Sequence, residues 1–235
     1  MRHEKNVVIT GISRGLGKEL FRLFNTKGYN VYGVLRNGLE AETLRNELLG
    51  NGEIIVADLS KDQAIDTIQH VVGKKPIDLL INNAGISGKS HLIDQIESKE
   101  IIDLFNIHCL GVFRTTKALK ENFYNADKPV VLNLNSRFGS ITRQSIGTYE
   151  VIAISYSYRI AKAAQNMLTN CLRKEFKDNI MFVSLHPGKM KTDMASKDAD
   201  IEPEIVANKI LEAFENDTFK AENGIVQLDK ELIEW

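Results

Sequence analysis

The sequence predicts an α/β fold, a doubly wound parallel sheet of seven strands with helices on both faces, and three observations lead there. Short apolar runs rich in Val and Ile alternate with helix-period segments from the N-terminus onward, the pattern of strands buried on both faces. The first run passes at once into a glycine-rich turn that opens into a helix, Thr10-Gly11-Ile12-Ser13-Arg14-Gly15-Leu16-Gly17. No linker, low-complexity tract or internal repeat interrupts the alternation, so residues 1–235 read as a single domain.

Taken in order, Asn6–Thr10 is the first strand, and a helix from Leu16 to Lys27 carries Leu20, Phe21, Leu23 and Phe24 as its apolar face. Asn30–Leu35, Glu53–Asp58 and Ile77–Ile81 are the next strands, with helices Glu40–Leu49 and Lys61–Val72 between them. Two long helices, Ser98–Phe123 and Ser155–Lys177, flank a strand at Val130–Asn135. Ile180–Leu185, a helix over Glu204–Phe214 and a last strand at Gly224–Leu228 complete the pattern.

A 43% hydrophobic, 26% charged composition is that of an ordinary globular protein, and a net charge of −1 gives no field to attract nucleic acid or an anionic membrane. No apolar run is long enough to cross a bilayer, and the Val7–Ile9 run behind the charged Met1–Lys5 is too short for a signal peptide. The expected location is the cytoplasm, where Cys109 and Cys171, lacking metal-ligand spacing, are expected as buried, reduced thiols.

The glycines of Thr10–Gly17 allow a tight turn and close backbone approach to a pyrophosphate, which then sits at the positive end of a helix. Three further motifs follow in order: Asp58 at the end of the third strand, Asn82-Asn83-Ala84-Gly85 closing the fourth, and His186-Pro187-Gly188-Lys189-Met190-Lys191-Thr192 after the sixth. Together they resemble the T-G-x-x-x-G-x-G, acidic, N-N-A-G and P-G-x-V-x-T motifs of the short-chain dehydrogenase/reductase family, with methionine for valine in the last.

The resemblance implies a Rossmann-type dinucleotide site. Its members would be Gly11, Ser13, Arg14, Gly15, Leu16 and Gly17 at the pyrophosphate, Asp58 and Leu59 at the adenine, Asn82, Ala84 and Gly85, Tyr158 and Lys162, and Pro187, Gly188, Met190 and Thr192 around the nicotinamide amide. The end of the second strand, Val34-Leu35-Arg36-Asn37, lacks the acid that accepts hydrogen bonds from an NAD ribose. Arg36, helped by Arg14, could instead pair with a 2′-phosphate, so the cofactor is read as NADP(H) rather than NAD(H).

In this family a tyrosine of a Y-x-x-x-K pair delivers a proton to the carbonyl oxygen as hydride arrives from the nicotinamide. Four residues beyond Tyr149, Tyr156 and Tyr158 stand Ala153, Ile160 and Lys162, so only Tyr158 has the lysine, which would bind the ribose and lower the phenol pKa. Asn133-Leu134-Asn135-Ser136-Arg137-Phe138-Gly139-Ser140 resembles N-I-S-S-x-x-G and places the carbonyl-polarising hydroxyl at Ser136. The Ser136–Tyr158 gap is longer than usual in the family, so Thr142–Ser155 is an insertion that would rim the pocket.

One slot departs from the family. Its fourth catalytic member is an asparagine three residues before a glycine; here His108 occupies that place, and Asn106 falls two residues early. His108 either relays protons back to Tyr158 or is a core histidine capping local backbone groups.

Further matches, Ser155-Tyr156, Ala163–Met167, Thr192-Asp193-Met194 and the terminal Trp235, resemble the carbonyl-reductase branch that includes sniffer and the bacterial C-factor. The expected activity is NADP(H)-dependent reduction of a carbonyl compound, an aldehyde or ketone, to an alcohol, with a short segment, Asp193–Ile201, closing a pocket for a small substrate. The alternative is a cofactor-binding regulatory or C-factor-like signalling protein with little turnover. The resemblance also implies a homodimer or homotetramer packed through the two long helices, although Ile101, Phe105, Phe113 and Met167 could equally serve the intrachain core.

Overall fold

A computed structural model describes residues 5–147, 155–177, 179–191, 199–220, 222, 224–227 and 232–235. The elements follow the order β1 (Asn6–Thr10), α1 (Gly15–Thr26), β2 (Asn30–Leu35), α2 (Gly38–Arg45), β3 (Glu53–Val56), α3 (Gln63–Val72) and β4 (Leu79–Asn82). Then come α4 (Ser98–Phe105), α5 (Gly111–Tyr124), β5 (Val130–Leu134), α6 (Ile141–Ser145), α7 (Tyr156–Glu175), β6 (Met181–His186), α8 (Pro203–Glu215) and β7 (Val226–Gln227). Seven strands form one sheet in the order β3-β2-β1-β4-β5-β6-β7, and every adjacent pair is parallel.

Alternate residues of each strand feed opposite faces, as the pleat requires. Val7 and Ile9 of β1 join Val31, Leu79 and Ile81 in a core covered by Leu20, Phe21 and Phe24 of α1 and Ile210 and Phe214 of α8. Val8, between them, points into the other core, with Val34, Ile55 and Leu80, under Ile68 of α3, Leu119 and Phe123 of α5 and Leu172 of α7. Each such apolar side chain removed from water contributes roughly 1.5–3 kcal/mol. Chain direction reverses its lateral progress between β1 and β4, and ligands of such sheets bind outside the strand ends at that switch point.

The predicted elements are all present, with differences at their ends. The helix expected over Glu40–Leu49 stops at Arg45, and the last strand is two residues long. The helix expected to run unbroken from Ser98 to Phe123 carries a π-helical stretch at Asn106–Leu110 between α4 and α5. Cys109 is buried, but Cys171 is exposed, correcting its expected burial: it faces solvent on α7, while the next residue, Leu172, packs in the core. Phe113 and Met167 are 41% and 64% exposed, so neither belongs to the intrachain core. Among the described residues no helix is long and apolar enough to cross a membrane.

Candidate active site

A cleft of about 1170 Å³ opens at the switch point and is lined by the ends of β1, β2, β4, β5 and β6 and the loops that follow them. Its first wall is the glycine turn. Gly11 and Gly15 have φ of +73° and +54°, values that L side chains rarely adopt, so the backbone can fold back over the strand end. The N-terminus of α1 has no side-chain cap and no acid in its first turn, which leaves its amides and dipole to whatever enters the cleft.

Thr10 ties this turn to β4. Its hydroxyl accepts from the amides of Asn83 and Ala84, both at 3.0 Å, while the Asn83 side chain donates to the carbonyls of Thr10 and Gly11 at 2.9 and 3.0 Å. Gly11, Ser13, Arg14, Gly15, Leu16, Arg36, Asp58, Leu59, Ala84, Gly85, Pro187, Gly188 and Met190 all line the cleft. Two expected members do not. Asn82 turns inward, donating to Asn133 at 2.8 Å and accepting from Thr115 at 2.7 Å. Gly17 faces the Gly11 carbonyl, where an added Cβ would lie 2.1 Å from the oxygen, so its role is close packing of helix on turn. Thr192, Tyr149 and most of Asp193–Ile201 lie outside the described residues.

After β3, burial pushes the Asp58 carboxyl up, but the Ser60 amide and hydroxyl and the charge of Arg36 outweigh it and hold the group below its ordinary value. Arg36 and Asp58 are therefore neighbours, and Arg14 lines the same cleft.

The other end gathers Ser136, Tyr158, Lys162 and His108 from three separate segments. Ser136 follows β5 and caps a 3-10 turn, Arg137–Gly139, its Oγ accepting from the Phe138 amide at 3.3 Å. Tyr158 stands in the first turn of α7, whose N-cap Ser155 accepts from the Tyr158 amide at 3.2 Å. Burial pushes the Tyr158 phenol up to about 12, against the effect of a hydrogen bond from Ser136. One turn on, Lys162 is 5% exposed; its Nζ donates to the Leu134 carbonyl at 2.7 Å and to Gln165 Oε1 at 2.9 Å, and lies 5.7 Å from the Tyr158 ring centroid. Burial pushes its pKa down to about 7.

His108 sits on the π-helical stretch, edge-on to Tyr158 with centroids 5.4 Å apart. Its Nε2 lies 2.8 Å from the Ile86 carbonyl oxygen and 3.3 Å from the Ile86 amide nitrogen, so whether it donates to the one or accepts from the other follows the tautomer. Burial first, then the Lys162 charge, pushes the ring down to about 3. Asn106 is engaged elsewhere, donating to the Ser60 carbonyl and accepting from Arg114.

Several residues missed in the sequence support this end. Glu100 of α4 accepts from the Lys89 and Ser90 amides, the Ser90 hydroxyl and the Ser157 hydroxyl, so one carboxylate joins the loop after β4 to the first turn of α7. Asn135 binds the Lys162 carbonyl and the Asn166 side chain. Ser155 could have been found as a serine directly before a helical run; Glu100 and Asn135 act on segments distant in sequence and carried no local signal. Among the described residues no group of three His, Cys, Asp or Glu could hold a metal ion.

Comparison with known proteins finds a family model and relatives that match this chain. The family model for short chain dehydrogenase matches residues 5–202. The chain is 30% identical over 218 residues to 3beta-hydroxysteroid dehydrogenase 1 of Eggerthella lenta, covering 88% of this chain and 79% of that one. It is 32% identical over 127 residues to the C-signal protein of Myxococcus xanthus, covering 54% and 73%. The structure of the carbonyl reductase Sniffer of D. melanogaster superposes with a TM-score of 0.81 at 26% identity, over 99% of this chain and 100% of that one.

Proposed function

Because the chain belongs to the short-chain dehydrogenase family, we propose that it is an NADP(H)-dependent oxidoreductase that reduces a small aldehyde or ketone to the alcohol. The observation that carries the reading is the convergence of the Ser136 hydroxyl, the Tyr158 phenol and the Lys162 ammonium on one end of a cleft whose other end is an uncapped helix N-terminus.

The residues present fit a dinucleotide. Amides of the Gly11–Leu16 turn would hold the pyrophosphate, and Asp58 and Leu59 the adenine. Arg36 and Arg14, with no acid at the end of β2, favour a 2′-phosphate over a bare ribose hydroxyl. When bound, the reduced nicotinamide supplies the hydride.

The chain's own groups handle the oxygen. Ser136 Oγ–H donates to the substrate carbonyl and fixes it beside the phenol. Tyr158, protonated at neutral pH because burial holds its pKa at about 12, gives its proton to that oxygen as it becomes an alkoxide. Lys162 would hold the ribose side, and its ammonium would lower the cost of the phenolate left behind. The neutral His108 ring, with Nε2 against the Ile86 backbone, suits backbone capping better than a relay through an imidazolium that burial disfavours.

NADPH consumption over a panel of aldehydes and ketones tests the reading. Tyr158→Phe should lose turnover by about 100-fold or more while binding NADPH with unchanged affinity. Tight NADPH binding without turnover on any carbonyl would instead favour a regulatory protein, the reading suggested by the C-signal likeness.

A further inference from the structure

We propose that Gln165 is a positioning residue for the reaction, fixing the Lys162 ammonium jointly with the carbonyl of Leu134; the proposal rests on the oxidoreductase reading above. Lysine is a long flexible side chain, and an ammonium is a compact charge with three donors and no preferred plane. Here it is held at both ends. At the base, the Lys162 carbonyl accepts from Asn135 Nδ2 at 3.3 Å, and Gly139 packs so closely that an added Cβ would lie 2.8 Å from the Lys162 carbonyl carbon. At the tip, Leu134 O and Gln165 Oε1 take two donors, leaving the third for the cleft.

Gln165 is 2% exposed and lies three residues beyond Lys162, on the same face of α7. Its amide cannot turn over without setting its NH2 against the ammonium, so the oxygen must face Lys162, and the nitrogen then points to Leu134 O at 3.5 Å. Both acceptors are neutral. The titratable groups around the ammonium are Tyr158 on its own helix, His108 on the π-helical stretch, and His186 and Arg137 on the same cleft wall; Glu100 of α4 is engaged by Ser157. The neutral carboxamide thus orients the charge without the extra stabilisation a carboxylate would add.

Two substitutions test this. Gln165→Leu keeps bulk but removes the acceptor; Gln165→Glu puts a carboxylate in the same place. Each is read by the pH dependence of kcat/KM and, independently of turnover, by the pH dependence of the NADPH Kd from fluorescence titration. An acceptor stabilises the ammonium and an anion stabilises it further, so the alkaline limb of both profiles should move up by about one unit in Gln165→Glu and down in Gln165→Leu. Limbs that superpose on the wild type in both variants would overturn the assignment, while the oxidoreductase reading would survive if Tyr158→Phe still lost turnover. Should the leucine variant fail to fold, the near-isosteric glutamate variant decides alone, an upward shift supporting the role and an unmoved limb overturning it. A wild type that binds no NADPH removes the reading and this proposal together.

Discussion

His108 is neutral at physiological pH, since burial and the Lys162 charge hold its pKa at about 3 against 6.5 for an unperturbed imidazole. Because the folded-state value is the lower one, the unfolded chain takes up a proton first as pH falls. The stability that His108 contributes is therefore complete above pH 6.5 and is lost progressively down to about 3. At about pH 5 the loss from this one group is roughly 2 kcal/mol. His108→Asn should flatten that part of the curve, and urea midpoints for wild type and variant near neutrality and at about pH 5 measure the difference. A second residue-scale expectation concerns Arg36, which lines the adenosine end beside Asp58. Arg36→Asp replaces a charge-assisted bond with repulsion and should weaken NADPH binding by about 10- to 100-fold while leaving NADH nearly unaffected. Paired titrations with the two nucleotides read it directly.

Elements meet here through backbone contacts that leave no room for side chains. Gly17 of α1 rests on the Gly11 carbonyl, and an alanine Cβ there would lie 2.1 Å from that oxygen and 2.4 Å from the Asn83 amide. Neither neighbour can yield, because Asn83 is the strut between the turn and β4. Gly17→Ala should cost about 1–3 kcal/mol and weaken nucleotide binding together with stability, whereas Gly28→Ala, with nothing within 4 Å, pays only for its positive φ. Thermal unfolding of the two variants checks the contrast. The π-helical stretch marks where reading elements from sequence fails. Apolar period runs smoothly through Asn106–Leu110, so a single helix is the natural inference. The wider turn is set instead by partners far along the chain: Arg114 is held by the Leu59 carbonyl and Asp62, and takes the Asn106 side chain at 2.8 Å.

For the molecule as a whole, a ligand that binds only the folded state adds stability by mass action. NADPH at one hundred times its Kd should add about 2.7 kcal/mol. For a chain of this length that is a rise of about 5–10 °C in Tm. Tyr158→Phe should keep this rise, because the phenol is at the substrate end of the cleft and the pyrophosphate turn is at the other.

What could be read without coordinates was whatever is encoded over a few neighbouring residues. Alternating apolar runs predict the seven strands; the Thr10–Gly17 turn marks the nucleotide end; and the four-residue spacing of Tyr158 and Lys162 puts them on one helix face. Only the tertiary structure decided that Asn82 turns away from the cleft and Asn83 braces it, that Glu100 joins two distant segments, that Gln165 faces Lys162, and that Cys171 meets solvent. Spacing along a helix or strand is fixed by backbone geometry alone. The partner of a buried polar group depends on which segments the sheet order brings together, and no local pattern carries that.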